Sequence, residues 1–151
     1  MLNIGDKAPA FKGVDQNGKE ISSESLTGKK IILYFYPKDN TPGCTAEACS
    51  LRDGYTELKK GGFEIVGVSP DSEESHRKFS GKNNLRFPLI ADTDKSIAQA
   101  YGVWGLKKFM GREYMGILRT TFIIDGNGTI EKIFTKVNTK NHFEQIAESY
   151  K

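Results

Sequence analysis

Two runs of consecutive apolar residues give the strongest structural signal in the chain. They are Ile31–Tyr36 and Phe63–Ser69. Within each run most consecutive residues are apolar, so apolar and polar residues do not alternate. This pattern is typical of strands that are buried on both faces. Residues 45–60, between the two runs, have helical character. The pattern therefore predicts a right-handed strand–helix–strand unit at the centre of the fold.

The flanking segments also alternate between strand and helix signals. Residues 103–115 are ambiguous between strand and loop; we expect Trp104 in the core, whereas Phe109 and Met110 fit either the core or an apolar pocket wall. Alternating strands and helices predict an α/β fold, with a central mixed β-sheet flanked by helices and an N-terminal β-hairpin. Strands are predicted at 11–14, 20–21, 87–91, 117–125 and 129–135, and helices at 71–83, 96–101 and 139–150.

Length, composition and charge narrow the class of protein. The 151 residues suit one domain spanning 1–151, and 37% hydrophobic residues argue against general disorder. The net charge of +3 is small and the lysine pairs are scattered, so we expect no nucleic-acid partner. No apolar stretch has the length of a signal peptide core or a membrane span, so we expect a cytoplasmic protein with no membrane partner.

Both cysteines, Cys44 and Cys49, lie where a Pro/Gly loop leads into the predicted helix. Pro42 suits a first helical turn, and Thr41 suits the N-cap position before it. Cys44 would then lie in the first turn, where unpaired N–H groups and the helix dipole favour an anion. In a reducing compartment such a thiol is more often catalytic than structural. We therefore interpret Cys44 as a thiolate nucleophile.

Thiolate formation alone is too small an effect for an enzyme. With an ordinary pKa of about 8.5, a few per cent of a thiol is ionised at neutral pH, so full ionisation gains about thirtyfold. That gain equals about 2 kcal/mol, whereas enzymatic accelerations begin near about 8 kcal/mol. Another group must stabilise the transition state.

The residues around Cys44 resemble those of the peroxiredoxins. Pro37, Thr41 and Cys44 match the family's Pro-x-x-x-Thr-x-x-Cys pattern, and Arg119 matches its second active-site segment. A second cysteine five residues after the first, as Cys49 is here, resembles the Q-type branch, also called the bacterioferritin comigratory proteins. The resemblance covers essentially the whole chain, with no departure at the four matched positions.

This resemblance implies a thioredoxin-like fold and a thiol-dependent peroxidase that reduces hydrogen peroxide and organic hydroperoxides. Cys44 would become a sulfenic acid, and Cys49 would resolve it as an intramolecular disulfide. Thioredoxin or a similar dithiol would reduce that disulfide. Because the resolving thiol is in the same chain, we expect a monomer.

The resemblance also suggests roles for the other matched residues. Arg119 would stabilise the thiolate and the developing negative charge of the leaving group, although an arginine whose stem covers apolar surface is the alternative. Thr41 would hydrogen-bond the peroxide or the thiolate with the N–H groups of Gly43 and Cys44, unless it is only a helix cap. Pro37 would shape the loop and shield the sulfur.

The spacing of the two cysteines sets a geometric condition. On an intact helix, residues five apart differ by about 140° in direction and lie about 8.6 Å apart between Cα atoms. Disulfides need less than about 7 Å, so pairing of Cys44 and Cys49 requires the helix to unwind. The alternative readings of Cys49 are a small buried hydrophobe and a spare surface thiol.

Two other functions compete with a peroxidase. A dithiol–disulfide exchange protein is disfavoured because Cys44 and Cys49 lack Cys-x-x-Cys spacing, and a non-catalytic redox switch would lack turnover. His76 and His142 are expected on the surface. With no zinc pattern and no nucleotide-binding glycine loop, the sequence indicates neither a metal nor a cofactor.

Overall fold

The computed structural model describes residues 2–151, whose centre is a five-stranded mixed sheet. None of the helices in this range is long and apolar enough to cross a membrane. The strands are β1 (Lys12–Val14), β2 (Glu20–Ser22), β3 (Lys30–Phe35), β4 (Phe63–Ser69), β5 (Leu89–Ala91), β6 (Trp104–Phe109), β7 (Arg112–Ile117), β8 (Thr120–Ile124) and β9 (Ile130–Phe134). The helices are α1 (Pro42–Asp53), α2 (Tyr55–Lys60), α3 (Glu73–Asn83), α4 (Ser96–Ala100) and α5 (His142–Glu148), with 3₁₀ turns at Glu24–Leu26 and Thr139–Asn141.

The sheet has the order β5-β4-β3-β8-β9. Strands β3, β4 and β5 run parallel, whereas β8 is antiparallel to β3, and β9 to β8. A separate antiparallel pair, β1 and β2, forms the predicted N-terminal hairpin. The predicted central mixed sheet with flanking helices is thus confirmed.

Strand β3 divides the interior into two cores because its side chains alternate between the faces of the sheet. Leu33 and Phe35 belong to one buried cluster, while Ile32 and Tyr34 belong to the other. All four side chains are at most 1% exposed. Burial on both faces explains the unbroken apolar run in the sequence. The second cluster contains Cys44, so the site is built on this face.

The predicted single helix over residues 45–60 is wrong, since α1 ends at Asp53 and α2 begins at Tyr55. Gly54 separates them, and a Cβ added there would lie 2.1 Å from Cδ1 of Phe143. The backbone N–H of Phe143 donates to Oγ of Ser50 at 3.0 Å. The missing side chain at Gly54 therefore makes room for α5 to pack against the helix that carries both cysteines.

The ambiguous residues 103–115 lie mostly in a second hairpin, formed by β6 and β7 and separate from the central sheet. Trp104 is partly buried and packs against the core as expected. Phe109 and Met110 are 65% and 86% exposed, so neither is a core residue.

We expect Gly54→Ala to destabilise the fold by about 1–3 kcal/mol, because its Cβ would overlap the Phe143 ring. Urea unfolding followed by circular dichroism would measure the change. Gly81→Ala is the matched control: Gly81 lies in α3 with open space around a Cβ, and alanine there should add up to about 1 kcal/mol of helix stability. Equal stabilities for Gly54→Ala and the parent would contradict this packing argument.

Candidate active site

Cys44 and Arg119, 75 positions apart, come together through the pairing of β3 with β8. Phe35 pairs with Thr120, so the loop after β3 and the residue before β8 lie at the same edge of the sheet. The Arg119 Nη2 atom lies 3.3 Å from Sγ of Cys44. We expected Arg119 inside a strand; it lies instead between β7 and β8, where its side chain is free to turn toward α1.

Cys44 is in the first turn of α1, as predicted, and is 1% exposed. The first helical hydrogen bond after it runs from the Thr45 N–H to the Thr41 carbonyl at 2.9 Å. The N–H groups of Gly43 and Cys44 precede that bond and belong to the positive end of the helix. The sulfur thus sits where an anion is favoured from two sides, by the helix end and by Arg119.

Thr41 occupies the predicted N-cap position, but its side chain makes no capping hydrogen bond. Its hydroxyl donates to the Lys38 carbonyl at 2.9 Å instead. The predicted N-cap position is therefore confirmed, although the Thr41 hydroxyl does not cap the helix. Because its hydrogen is committed to Lys38, the Thr41 oxygen keeps its lone pairs available as an acceptor.

Glu47 also belongs to this site, although the sequence motif did not indicate it. Its Oε1 accepts a hydrogen bond from Arg119 Nη1 at 2.6 Å, and its side chain is fully buried. Its other oxygen, Oε2, has no hydrogen-bond partner. Residues three apart lie on the same helix face, so the spacing of Cys44 and Glu47 was a usable signal. Arg119 thus serves two acidic groups at once.

Burial and charge act in opposite directions on this pair. Removal from water raises the pKa of Glu47 to about 7, although the positive charge of Arg119 and its hydrogen bond lower it. For Arg119, burial lowers the pKa, but the charges of Cys44 and Glu47 outweigh burial, and the net shift is upward. Arg119 therefore stays a cation, while Glu47 gains and loses its proton near neutral pH.

His142 was expected on the surface; that expectation is wrong, because the residue is fully buried next to Glu47. Its Nδ1 lies 2.9 Å from Oε1 of Gln145, which can only accept, so Nδ1 carries the hydrogen. Nε2 then accepts from the Thr121 hydroxyl at 2.8 Å. Burial lowers the pKa of His142. The hydrogen bond to Gln145 raises this pKa and the positive charge of Arg119 lowers it, and the net shift is downward. The neutral ring therefore adds no positive charge near Glu47.

The loop before α1 is anchored through Asp39. Its Oδ1 accepts from the Tyr36 hydroxyl at 2.7 Å, and its Oδ2 lies 2.8 Å from Nδ1 of His76. Nε2 of His76 donates to the Ile90 carbonyl at 3.0 Å. His76 was expected on the surface. That expectation is wrong, because His76 is fully buried. The sequence of α3 is polar, but this side chain faces the sheet and holds the loop.

Asp71 completes this anchor by accepting from the Asp39 backbone N–H at 2.8 Å. Ligand-type atoms of Asp39, Asp71 and His76 lie within 4.8 Å of one another, the grouping within residues 2–151 that comes nearest to a metal site. Each of these atoms is already engaged in hydrogen bonds to its neighbours. The hydrogen bonds among these three residues therefore hold the loop before α1 in place.

Cys49 lies on another side of α1. Its Sγ is 3.7 Å from Oδ1 of Asn83 in α3, and the side chain is partly buried. Both cysteines are free thiols within one intact helix. The helix is held just beyond Cys49 by Ser50, which accepts from Phe143, and by Arg52, which donates to the Asn83 carbonyl at 2.9 Å.

A cleft of about 670 Å³ opens at the first turn of α1. Pro37, Thr41, Gly43 and Arg119 line its inner end, and the β6–β7 hairpin forms its outer wall. A hollow of similar volume, about 710 Å³, lies between α1 and α3, and Arg119 is not among the residues that line it. The cleft beside Arg119 is therefore the one that reaches the first turn of α1, where Cys44 lies.

Comparison with known proteins places the chain in a family. The profile of the AhpC/TSA family matches residues 4–133. The chain is 45% identical to the putative peroxiredoxin bcp of Haemophilus influenzae, over 97% of this chain and 95% of that protein. It is also 45% identical to peroxiredoxin Bcp of Bacillus subtilis, over 99% of this chain and 96% of that protein.

Solved structures agree. A cysteine-to-serine variant of Xylella fastidiosa PrxQ superposes with a TM-score of 0.93 at 28% identity, covering 99% of this chain and 96% of that one. The Xanthomonas campestris bacterioferritin comigratory protein, described with alkyl peroxide reduction activity, gives a TM-score of 0.86 at 32% identity, covering 92% and 88%. The thioredoxin-like fold expected from the sequence is confirmed.

We expect the buried Glu47 carboxyl to make stability fall as pH rises. Its pKa is about 7 when folded and near 4.5 when unfolded, so the native state holds more protons between these values. Stability should therefore decrease from pH 4.5 to 7, by at most about 3 kcal/mol from this group. Urea unfolding of the parent and Glu47→Gln at pH 5, 6, 7 and 8 would measure it.

In that experiment the stability of Glu47→Gln relative to the parent should rise across the window. Glu57→Gln, at an exposed position of α2, is the control and should run parallel to the parent. Parallel curves for Glu47→Gln and the parent would show that Glu47 does not titrate in this range.

Proposed function

The chain belongs to the AhpC/TSA family and is a peroxiredoxin, a thiol-dependent peroxidase, and we propose that Cys44 is the residue that attacks the peroxide. The observation that carries this proposal is the Arg119 Nη2 atom 3.3 Å from Sγ of Cys44, at the first turn of α1. Of the two cysteines, Cys44 is the one that has both a cationic neighbour and a helix N-terminus.

In the first step the Cys44 thiolate attacks one oxygen of the hydroperoxide and breaks the O–O bond. The sulfur becomes a sulfenic acid, and the departing oxygen takes up a proton and leaves as water or an alcohol. Negative charge moves from sulfur to the leaving oxygen, and a guanidinium can follow it because it has several N–H donors in one plane. Arg119 thus supplies the stabilisation that thiolate formation alone lacks.

The other residues at the inner end of the cleft orient the peroxide. The Thr41 oxygen accepts the peroxide O–H, while the N–H groups of Gly43 and Cys44 donate to a peroxide oxygen or to the thiolate. Pro37 lines the cleft without offering a donor, which keeps water away from the sulfur. Because the Thr41 hydroxyl does not cap the helix, its position supports a role in binding the peroxide.

Glu47 positions Arg119 and competes with Cys44 for its charge. Ionised Glu47 holds one edge of the guanidinium at 2.6 Å, which leaves Nη2 directed at the sulfur. Once Cys44 has become a neutral sulfenic acid, Arg119 has Glu47 as its remaining anionic neighbour. We infer that this competition keeps Arg119 in place through the cycle.

In the second step Cys49 attacks the sulfenic sulfur of Cys44, giving an intramolecular disulfide and releasing water. The two Cα atoms of an intact helix are about 8.6 Å apart at this spacing, beyond disulfide range, so α1 must unwind. The contacts of Ser50 and Arg52 with α5 and α3 support unwinding on the N-terminal side of Ser50. Asp39 anchors the chain at the other end of this segment.

A dithiol then reduces the disulfide by exchange and returns both thiols. The family acts on peroxides with a thiol reductant, and we propose thioredoxin or a similar dithiol as that reductant. We further propose hydrogen peroxide and organic hydroperoxides as substrates, since a close structural neighbour is described with alkyl peroxide reduction activity. Because both thiols are in one chain, no second subunit is required, and we propose that the protein is a monomer. We further propose that it is a cytoplasmic protein with a single domain.

We expect Cys44→Ser to lose peroxide turnover with thioredoxin completely, because the nucleophile is gone. Cys49→Ser should complete one round of oxidation and then stop. Arg119→Ala should stay folded and lose at least about a hundredfold in rate, the size of effect seen when one oxyanion donor is removed. Stopped-flow peroxide consumption measures all three.

Arg112→Ala is the matched control for Arg119→Ala, since Arg112 is an exposed arginine of β7 and should keep the parent rate. Turnover that persists in Cys44→Ser would remove the proposed mechanism. Consumption of about one peroxide per parent molecule, with reductant present, would indicate a redox switch instead.

We expect oxidation to melt the first half of α1. Far-ultraviolet circular dichroism should show less helix in the disulfide form, and amide exchange should speed up at residues 43–49 but not at 51–53. Cys49→Ser treated with peroxide is the control, because it cannot form the disulfide and should keep its protected amides. Unchanged protection in the oxidised parent would rule out unwinding.

A further inference from the structure

Exposed apolar side chains are concentrated on the β6–β7 hairpin and the residue after it. Of the eight large apolar side chains that residues 2–151 expose, six lie between positions 106 and 118. Scattered exposed apolar residues are ordinary, but a contiguous set marks a binding surface. The six are Leu106, Phe109, Met110, Tyr114, Met115 and Leu118.

These side chains occupy both faces of the hairpin. Leu106 pairs with Met115 on one face, and both are at least 50% exposed. Tyr114, next to Met115, points to the opposite face, where Phe109 also lies. A protein that docks flat on a two-stranded sheet covers one face. A medium that surrounds the hairpin covers both faces and the tip.

The turn itself places an apolar side chain at the point farthest out. Met110 and Gly111 have φ values of 50° and 79° at the two turn positions. This type of turn favours asparagine, aspartate or glycine, and a methionine in the left-handed region is uncommon. Met110 is 86% exposed, so packing within the protein does not explain the residue. A contact made by the tip would explain it.

Positive charge surrounds the same hairpin. Five basic side chains lie on the hairpin or line the adjacent cleft, and Glu113 is the one acidic residue on the hairpin. Their net charge is +4, whereas the net charge of the whole chain is +3. Arg119 is not counted because its charge faces Cys44 and Glu47. The five basic side chains on the hairpin or lining the adjacent cleft are Lys38, Lys95, Lys107, Lys108 and Arg112.

We propose that the β6–β7 hairpin inserts its tip into the interface of an anionic phospholipid bilayer. The tip residues Phe109 and Met110 have basic side chains beside them, since Arg112 pairs with Phe109, and further basic side chains behind them. Apolar and basic side chains placed together in this way are the combination that binds such interfaces. A second copy of the chain is a poor occupant, because a twofold contact would place two surfaces of charge +4 against each other. The sequence predicted no membrane partner from the absence of a spanning segment, and the proposal revises that expectation for surface binding.

The dimensions suit shallow insertion. Six residues in each strand make a hairpin about 20 Å long, whereas interfacial elements enter about 5–10 Å. The tip can therefore be immersed while the base stays in water. Phe109 and Tyr114 also line the cleft that leads to Cys44, so the bound protein would direct this cleft toward the lipid.

Vesicle flotation tests the proposal without using peroxidase activity. The reduced full-length protein should float with vesicles containing 30% phosphatidylglycerol and bind at least about tenfold more weakly to neutral phosphatidylcholine vesicles or in 0.5 M NaCl.

The variant Phe109→Ser with Met110→Ser should lose at least about tenfold in partitioning to the anionic vesicles while keeping the parent melting temperature. Ile4→Ser is the matched control, since Ile4 is 66% exposed but lies outside the hairpin. Equal flotation of the parent and the double variant would overturn the proposal. So would a parent that ignores vesicles but forms a dimer that the double variant abolishes.

Discussion

The guanidinium of Arg119 joins the two acidic groups of α1, and the site depends on this contact. Nη2 lies 3.3 Å from Sγ of Cys44, while Nη1 lies 2.6 Å from Oε1 of Glu47. The antiparallel register of β3 and β8 makes the contact, because it sets Thr120 beside Phe35 at the edge where α1 begins. A slip of one residue would turn the side chains of β8 to the opposite face of the sheet. Sheet register is therefore a condition for this contact.

This contact leaves α1 held by polar groups rather than by apolar packing alone. Glu47 is buried with one oxygen unpaired, and burial raises its pKa to about 7. A buried carboxyl with an unmet hydrogen bond costs free energy that unwinding would release. The apolar Ala48 and Leu51 oppose this by packing in the core. The unmet hydrogen bond of Glu47 thus lies in the half of α1 that contains Cys44.

The sequence predicted the features that local pattern controls. The apolar runs predicted β3 and β4, the Pro/Gly loop predicted the start of α1, and the resemblance supplied Arg119. The errors involve residues whose environment is set by distant partners. His76 and His142 looked like surface residues in polar helices, yet each is buried through contacts more than ten positions away. Gly54 leaves room for the Phe143 ring, a partner that no local pattern near Gly54 reveals.

The hairpin and Arg119 are neighbours in the chain, so a surface role for the hairpin must not displace the Arg119 side chain. The base of the hairpin is fixed: Ile117 is 2% exposed, and the Leu118 N–H donates to the Val103 carbonyl at 2.7 Å. Beyond Arg119, Thr120 is held by its pairing with β3. Arg119 thus lies between two fixed points, while the tip of the hairpin projects from the first of them. Contacts at the tip can change without moving the guanidinium away from Cys44.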